Sequence, residues 1–249
     1  VLYEKRDHIV IITLNRPDAL NSINRQLRRD LSEAVIRFDG EPDSFVAIVT
    51  GAGRAFCAGR DLKERAADNA EGVQARAADS MSPDGGSMWP RTWKPLIAAV
   101  NGYALAGGWS IAQMCDLRIA SEDAQLGISE TRWSLLPPFA TYLSQTMPLS
   151  AVLELVLTAQ PVTAQRACDM GFVNKVVPAD RLMPEALALA QQIADNSPLA
   201  VQAFKELAYR GLNMSSQDIS ALTYHMYDEL LKTEDSKEGP KAFAEKRKP

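Results

Sequence analysis

Two short glycine-containing turns are places where the backbone, rather than a side chain, can do chemistry. One is Phe56-Cys57-Ala58-Gly59-Arg60-Asp61-Leu62. The other is Asn101-Gly102-Tyr103-Ala104-Leu105-Ala106-Gly107-Gly108, which leads into a helical pattern from Trp109 to Met114. In each, small residues let the main chain come close to a ligand. The helical segment that follows offers unpaired N–H donors at the positive end of its dipole. Side by side, two such turns place two N–H groups on one developing oxyanion, and each donor contributes roughly 2.7–4 kcal/mol of transition-state stabilisation. The competing reading is that the glycines merely permit tight strand-to-helix packing. Nucleophilic side-chain chemistry is poorly served: no G-x-S-x-G elbow is present, and the only two histidines, His8 and His225, stand apart. His8 lies in an apolar strand pattern and reads as a packing residue rather than a metal ligand.

The elements that must hold these turns alternate through the first two thirds of the chain. Ile9 to Leu14 is β-branched and closed by Asn15-Arg16-Pro17, a strand running into a turn. From Asn24 to Phe38, the residues Leu27, Leu31, Ala34, Val35 and Phe38 recur at helical intervals. Further strands are expected at Phe45 to Thr50, Leu96 to Val100, Leu117 to Ala120 and Phe172 to Val177. Strands separated by helices favour βαβ crossovers and a largely parallel sheet. From Pro178 the pattern is helical only: Ala179 to Asn196, a helix capped at Ser197-Pro198 and running to Arg210, Ser215 to Lys232, and Glu238 to Lys246. The division expected is therefore a core over 1–178 and a helical region over 179–249. Residues from about Ala66 to Pro90 are the least regular, a lid over a pocket or a plain surface loop.

Composition narrows the class. The 249 residues are 46% hydrophobic and 23% charged, values that fit a globular protein with a proper core. With 27 basic and 31 acidic side chains the formal charge is −4, so no basic face is available to make nucleic acid the main partner. Cys57, Cys115 and Cys168 are odd in number and scattered, which fits a reducing cytoplasm and argues against a disulfide framework or a zinc site. No stretch approaches the ~18–20 apolar residues of a membrane span, and no signal-peptide pattern opens the chain.

Taken in order, the segments resemble the crotonase (enoyl-CoA hydratase/isomerase) superfamily along nearly the whole chain. They are Leu14-Asn15-Arg16-Pro17, Phe56 to Leu62, Lys94 to Ala104, Gly107-Gly108, Cys115 to Ala120, Thr163 to Ala167 with Gly171-Phe172-Val173, and Phe243 to Arg247. The resemblance implies an α/β fold, a spiral of ββα repeats with a C-terminal helical region that builds trimers or hexamers. It implies an acyl-CoA thioester substrate, with coenzyme A part of the substrate and no separate cofactor or metal. The N–H groups of Arg60 and Gly107 would form an oxyanion hole, and the path from Ala58 and Arg60 through Asp61, Leu62 and Lys63 would line the thioester and pantetheine. Lys63 and Lys246 would approach CoA phosphates, although Lys246 reads equally as a solvated charge.

The chemistry follows from those parts. Removing a proton alpha to a thioester, or adding water beside it, puts negative charge on the carbonyl oxygen; N–H donors stabilise it while a carboxylate moves the proton. Hydratases of this family use two glutamates. The later one matches Glu130, but the earlier position, three past Gly107, is Ser110. An unperturbed hydroxyl holds water but is no base near neutral pH. One carboxylate resembles the arrangement of the family's enoyl-CoA isomerases, so double-bond isomerisation or an atypical hydration is expected over two-glutamate hydration. The Pro-Phe pair at Pro138-Phe139 is similar to some isomerases. Without the resemblance, Glu130 reads as a carboxylate at a turn, with Ser129 capping a short helix. Trp109 and Trp133, beside the two positions, either pack or shape an acyl pocket for a bulky chain. Other enolate reactions (C–C hydrolysis, decarboxylation) and a silent CoA-binding subunit remain alternatives.

Overall fold

The computed structural model describes residues 1–71 and 88–247, the side chain of Asn69 excepted. The β-branched run of the first segment pairs as expected. Strand β1 (Leu2–Arg6) lies antiparallel to β2 (Ile9–Leu14), with Arg6 opposite Ile9 across a tight turn at Asp7-His8. Helix α1 (Arg25–Gly40) follows, and Asn24 caps it by accepting the Leu27 N–H at 2.8 Å. Its buried face consists of Leu27, Leu31, Ala34, Val35 and Phe38, the five residues whose spacing predicts it. Phe38 is fully buried, so its loss to alanine would cost about 3–5 kcal/mol.

From here the chain winds in repeated turns of strand, strand and helix. β3 (Val46–Gly51) and β4 (Ala55–Cys57) lead to α2 (Leu62–Ala70); β5 (Leu96–Val100) and β6 (Tyr103–Leu105) lead to α3 (Gly107–Met114). β7 (Leu117–Ser121) and β8 (Gln125–Gly127) lead to a 3-10 turn at Glu130–Trp133 and a longer one at Pro138–Gln145. α4 (Leu149–Thr158), β9 (Val162–Thr163), α5 (Ala164–Asp169) and β10 (Lys175–Val177) complete the spiral. Each turn sends one strand to each of two sheets. The larger runs β1-β2-β3-β5-β7-β10, parallel after its first pair, and the smaller runs β4-β6-β8-β9. Strands of two or three residues build the smaller sheet, so it hides inside segments that read as turns. Residues 66–70, expected to be irregular, continue α2, while the rest of that candidate lid over 72–87 lies outside the described residues.

Strands β2, β3 and β5 of the larger sheet are buried on both faces, which explains their unbroken apolar runs. Val10, Ile12, Leu14, Ala47, Val49, Leu96, Ala98 and Val100 face the main core with α1. Ile9, Val46, Ile48, Ile97, Ala99 and Ile119 face the other way, where α6 (Leu182–Ala194) covers them with Leu182, Ala186 and Ala190. That helix thus closes the sheet's second face. Helices α7 (Pro198–Gly211), α8 (Ser216–Leu230) and α9 (Glu234–Ala244) lie further out, with Ala242 the buried residue of the three. α9 starts four residues before the expected Glu238, because Thr233 caps it by accepting the Ser236 N–H. β10 is shorter than expected. Gly171 (φ +82°) ends α5 in a left-handed turn, and the N–H groups of Phe172 and Val173 return to the Ala167 carbonyl.

The Cys115-Asp116-Leu117-Arg118 segment acts as a clamp. Asp116 accepts the Leu96 N–H at 2.7 Å, the Tyr209 hydroxyl at 3.0 Å and the Lys205 ammonium at 2.7 Å, which moors α7 to the sheet. Arg118 donates to the carbonyls of Ala112 and Cys115 at the carboxyl end of α3, where a cation suits the helix dipole. Among the described residues, no helix is long and apolar enough to cross a membrane.

Candidate active site

Three neighbouring strands of the smaller sheet, β4, β6 and β8, run parallel, and their carboxyl ends lead into the segments that hold the expected site residues. β4 ends in Gly59 and Arg60, β6 in Ala106 and Gly107, and β8 in Ser129 and Glu130. Adjacent parallel strands bring their ends together however far apart they lie in sequence. The first two ends touch: a Cβ on Gly59 would lie 2.9 Å from the Leu105 carbonyl oxygen and 3.4 Å from the Gly107 nitrogen. The third joins them when the Ala106 N–H donates to the Gly127 carbonyl at 2.8 Å.

Both turns are held in conformations that ordinary residues avoid. Gly59 has φ +95°, open to glycine at little cost. Ala106 has φ 51° and ψ −116°, uncommon for alanine, and it directs Gly107 into the first position of α3. No side chain caps α3, so no capping side chain takes up its leading N–H groups. Not every glycine serves this end: a Cβ on Gly108 would lie 2.0 Å from the Cys57 carbonyl oxygen, which is the tight-packing role.

Residues 16–23 hold the first turn from behind. Ile23 pairs with Arg60 as a parallel bridge, donating to the Gly59 carbonyl at 2.7 Å and accepting the Asp61 N–H at 3.0 Å. In such a bridge the partner's own N–H points the opposite way, so the Arg60 N–H is turned from Ile23. Ala58 donates to the Leu20 carbonyl at 3.0 Å. Asn21 is completely buried; its Nδ2 donates to the carbonyls of Ala52 and Ala55 and its Oδ1 accepts the Arg16 N–H. The Arg16 guanidinium reaches the Asp61 carboxylate at 3.0 Å and the Ser22 carbonyl at 2.5 Å. Sequence reasoning singled out Asn15-Arg16-Pro17 as a strand-ending turn and a matching segment, and passed over Asn21 and Ile23. A buried asparagine soon after a strand-ending Asn-Arg-Pro was the available signal.

The side chains sort as follows. The Asp61 carboxylate is engaged by Arg16. Burial pushes its carboxyl pKa up, but Arg16 and the N–H groups of Glu64 and Lys63 outweigh that and hold it below the usual range. Its carboxylate therefore caps α2 and anchors the turn. Leu62 and Lys63 are exposed at the start of α2, Ala58 is half-buried, and the exposed Arg60 side chain extends toward Asp68, 4.0 Å away. Cys57 is buried, and burial pushes its thiol up to about 12, so it stays protonated at neutral pH and is no nucleophile.

Ser110 lies on α3 one turn after Gly107 and is 3% exposed. Glu130 opens the 3-10 turn after β8, with Ser129 before it; the Ser129 side chain makes no capping bond. Burial raises the Glu130 pKa against the opposing pull of its own and Ser129's N–H groups. Its Oε2 is buried with no partner among the described residues. Burial of this kind disfavours the charged form of a carboxylate, so Glu130 holds a proton more readily than an ordinary glutamate. Trp109 is fully buried and stacks on Phe172 at 3.8 Å between ring centres, which places it in the core. Trp133 is 67% exposed, at the surface of the chain.

The geometry can be set beside known proteins. The family model described as Enoyl-CoA hydratase/isomerase matches residues 4–249. Enoyl-CoA hydratase EchA19 of Mycobacterium tuberculosis is 40% identical over 260 residues, covering 100% of this chain and 94% of that protein. The (E)-benzylidenesuccinyl-CoA hydratase of Thauera aromatica is 37% identical, covering 100% and 97%. Among solved structures, an enoyl-CoA hydratase from Bacillus anthracis superposes with a TM-score of 0.91 at 34% identity, covering 100% of this chain and 97% of that one. One from Mycobacterium tuberculosis gives 0.90 at 38%, with the same coverage.

Proposed function

The chain belongs to the enoyl-CoA hydratase/isomerase family, and within it we propose that one carboxylate, Glu130, does the proton transfer that two glutamates share in ordinary hydration. The backbone N–H groups of Arg60 and Gly107 receive the thioester carbonyl oxygen. Two donors fixed in place at no cost of reorganisation stabilise the enolate more than the ground-state carbonyl. Ala58, Leu62 and Lys63 line the approach of the pantetheine arm. Coenzyme A enters as part of the substrate.

For a 3-enoyl-CoA, the Glu130 carboxylate takes a proton from C2, and the electron pair spreads through a dienolate onto the carbonyl oxygen. The same carboxyl returns the proton at C4, leaving the double bond between C2 and C3 with no atom gained or lost. The observation that carries this reading is the combination of Ser110 at the other acid-base position with the unpartnered, buried Oε2 of Glu130. Burial raises the Glu130 pKa, which suits a group that must alternate between base and acid. The relatives' names favour a second reading, hydration of a 2-enoyl-CoA, in which Glu130 would take a proton from water as its oxygen adds to C3 and then deliver that proton to C2. Exposed Phe204, Tyr224 and Phe243 on α7, α8 and α9 support assembly into a homotrimer or hexamer through that region.

The test is turnover of 2-enoyl- and 3-enoyl-CoA in deuterated water, followed by mass spectrometry for the wild type and Glu130→Gln. Isomerisation of the 3-enoyl-CoA is expected, with a loss on the order of 10²-fold or more in the variant. Turnover that survives Glu130→Gln refutes the assignment of the base, and efficient hydration without isomerisation selects the second reading.

A further inference from the structure

Gln113, one turn beyond Ser110 on α3, carries a polar atom that the chemistry above does not use. Its Nε2 donates to the Phe139 carbonyl at 2.8 Å. The amide cannot be turned over, since that would set Oε1 against the Phe139 oxygen, acceptor against acceptor. Oε1 therefore points elsewhere, and it is buried with no donor among the described residues. Four residues earlier, Trp109 is fully buried with its ring fixed by the Phe172 stack. Its Nε1–H is likewise buried and without an acceptor among the described residues.

Side chains four apart on a helix are neighbours. Here one offers an unused donor and the other an unused acceptor, yet the two do not bond to each other. Protein interiors rarely leave such a pair open; a single oxygen that makes both bonds is the usual occupant. Gln113 lies one turn beyond Ser110 on the helix that Gly107 opens and Met114 closes. That helix borders the site: the Met114 sulfur accepts the Met88 N–H at 3.3 Å, and the Met88 methyl lies 3.6 Å from the Cβ position of Gly107.

We propose that Trp109 Nε1–H and Gln113 Oε1 form a seat for one hydroxyl oxygen, which accepts from the indole and donates to the amide. A carboxylate cannot donate and an ammonium cannot accept, so the pair selects a hydroxyl. Its source is either a fixed water or a hydroxyl on the acyl chain; the second source rests on the acyl-CoA reading given above.

Two measurements test the seat. One is a high-resolution crystal structure of the substrate-free enzyme, wild type and Gln113→Met. The other is binding of non-reactive thioether analogues of matched acyl-CoAs, with and without a chain hydroxyl, to the wild type, Gln113→Met and Trp109→Phe. A fixed water predicts an ordered oxygen within hydrogen-bond distance of both atoms, lost in Gln113→Met, and no preference between the analogues. A substrate hydroxyl predicts at least tenfold tighter binding of the hydroxylated analogue, a ratio that falls toward one in Gln113→Met and Trp109→Phe. An empty position together with a ratio the variants leave unchanged overturns the proposal. Because binding is read without turnover, failure of Glu130 as the base leaves this result standing. Failure of every acyl-CoA analogue to bind removes the substrate arm and the proposed function together, while the crystal still decides the water.

Discussion

Gly59→Ala places a methyl group where the two turns meet, and its consequences can be worked from the geometry. The new Cβ would lie 2.9 Å from the Leu105 carbonyl oxygen, 3.0 Å from the Ala106 Cβ and 3.4 Å from the Gly107 nitrogen. These are backbone atoms or an atom fixed to the backbone, so relief requires one turn to move from the other. A left-handed φ of +95° adds a conformational cost of roughly 1–2 kcal/mol for a residue with a Cβ. If the displacement withdraws one N–H from the thioester oxygen, the further loss is about 2.7–4 kcal/mol in the transition state, or roughly 10²–10³-fold in kcat. Gly171→Ala isolates the conformational cost, because Gly171 has φ +82° with nothing within 4 Å of its Cβ position and no part in the site. Steady-state kinetics on the preferred enoyl-CoA, with urea denaturation of each variant, separates the two. Gly171→Ala should lose about 1–2 kcal/mol of stability, Gly59→Ala more than that because of its contacts, and Gly59→Ala alone should lose kcat. If Gly59→Ala stays within a few-fold of wild-type kcat, or Gly171→Ala falls as far, the two turns do not form the hole.

Glu130→Gln should be inactive yet more heat-stable at neutral pH. Burial raises the Glu130 pKa above that of the unfolded chain, so its stabilising contribution is present below the ordinary glutamate value and lost as pH rises through the folded one. The gap in melting temperature should therefore close near about pH 4, and the wild type's activity should fall on the acid side with a midpoint above that value; equal melting curves at pH 7 would contradict this. Ser110→Glu restores a second carboxylate beside Glu130 and should increase hydration of a 2-enoyl-CoA relative to isomerisation, read from product ratios; an unchanged ratio removes Ser110 as the determinant. Asn21→Ala strands the Ala52 and Ala55 carbonyls and the Arg16 N–H, and should cost roughly 3 kcal/mol in urea denaturation. A loss under 1 kcal/mol would show that water replaces the amide.

The two turns and Glu130 were legible in the sequence for different reasons. Glycines at 59 and 107 announce a close approach of backbone, and the ordered segments carry the family. α1 was readable residue by residue because a 3.6-residue period and a capping asparagine are local signals. The long apolar strands were equally plain. β4, β6 and β8 were not, since three residues in a strand leave no period to detect, and their pairing spans dozens of positions. Trp109 and Trp133 looked alike in sequence; only packing separates the one stacked on Phe172 from the one at the surface.

The amino-acid sequence by itself determined two glycine-containing turns ahead of helical segments, and a serine at 110 with a glutamate at 130. Residue type and order along the chain carry these facts and the family to which they belong. Tertiary structure alone decided that the three strand ends converge, that Asp61 is consumed by Arg16, and that Glu130 keeps one oxygen buried and unpaired. Convergence depends on parallel pairing between strands far apart in the chain, and burial on everything packed around them. Neither is a property of any short stretch of sequence.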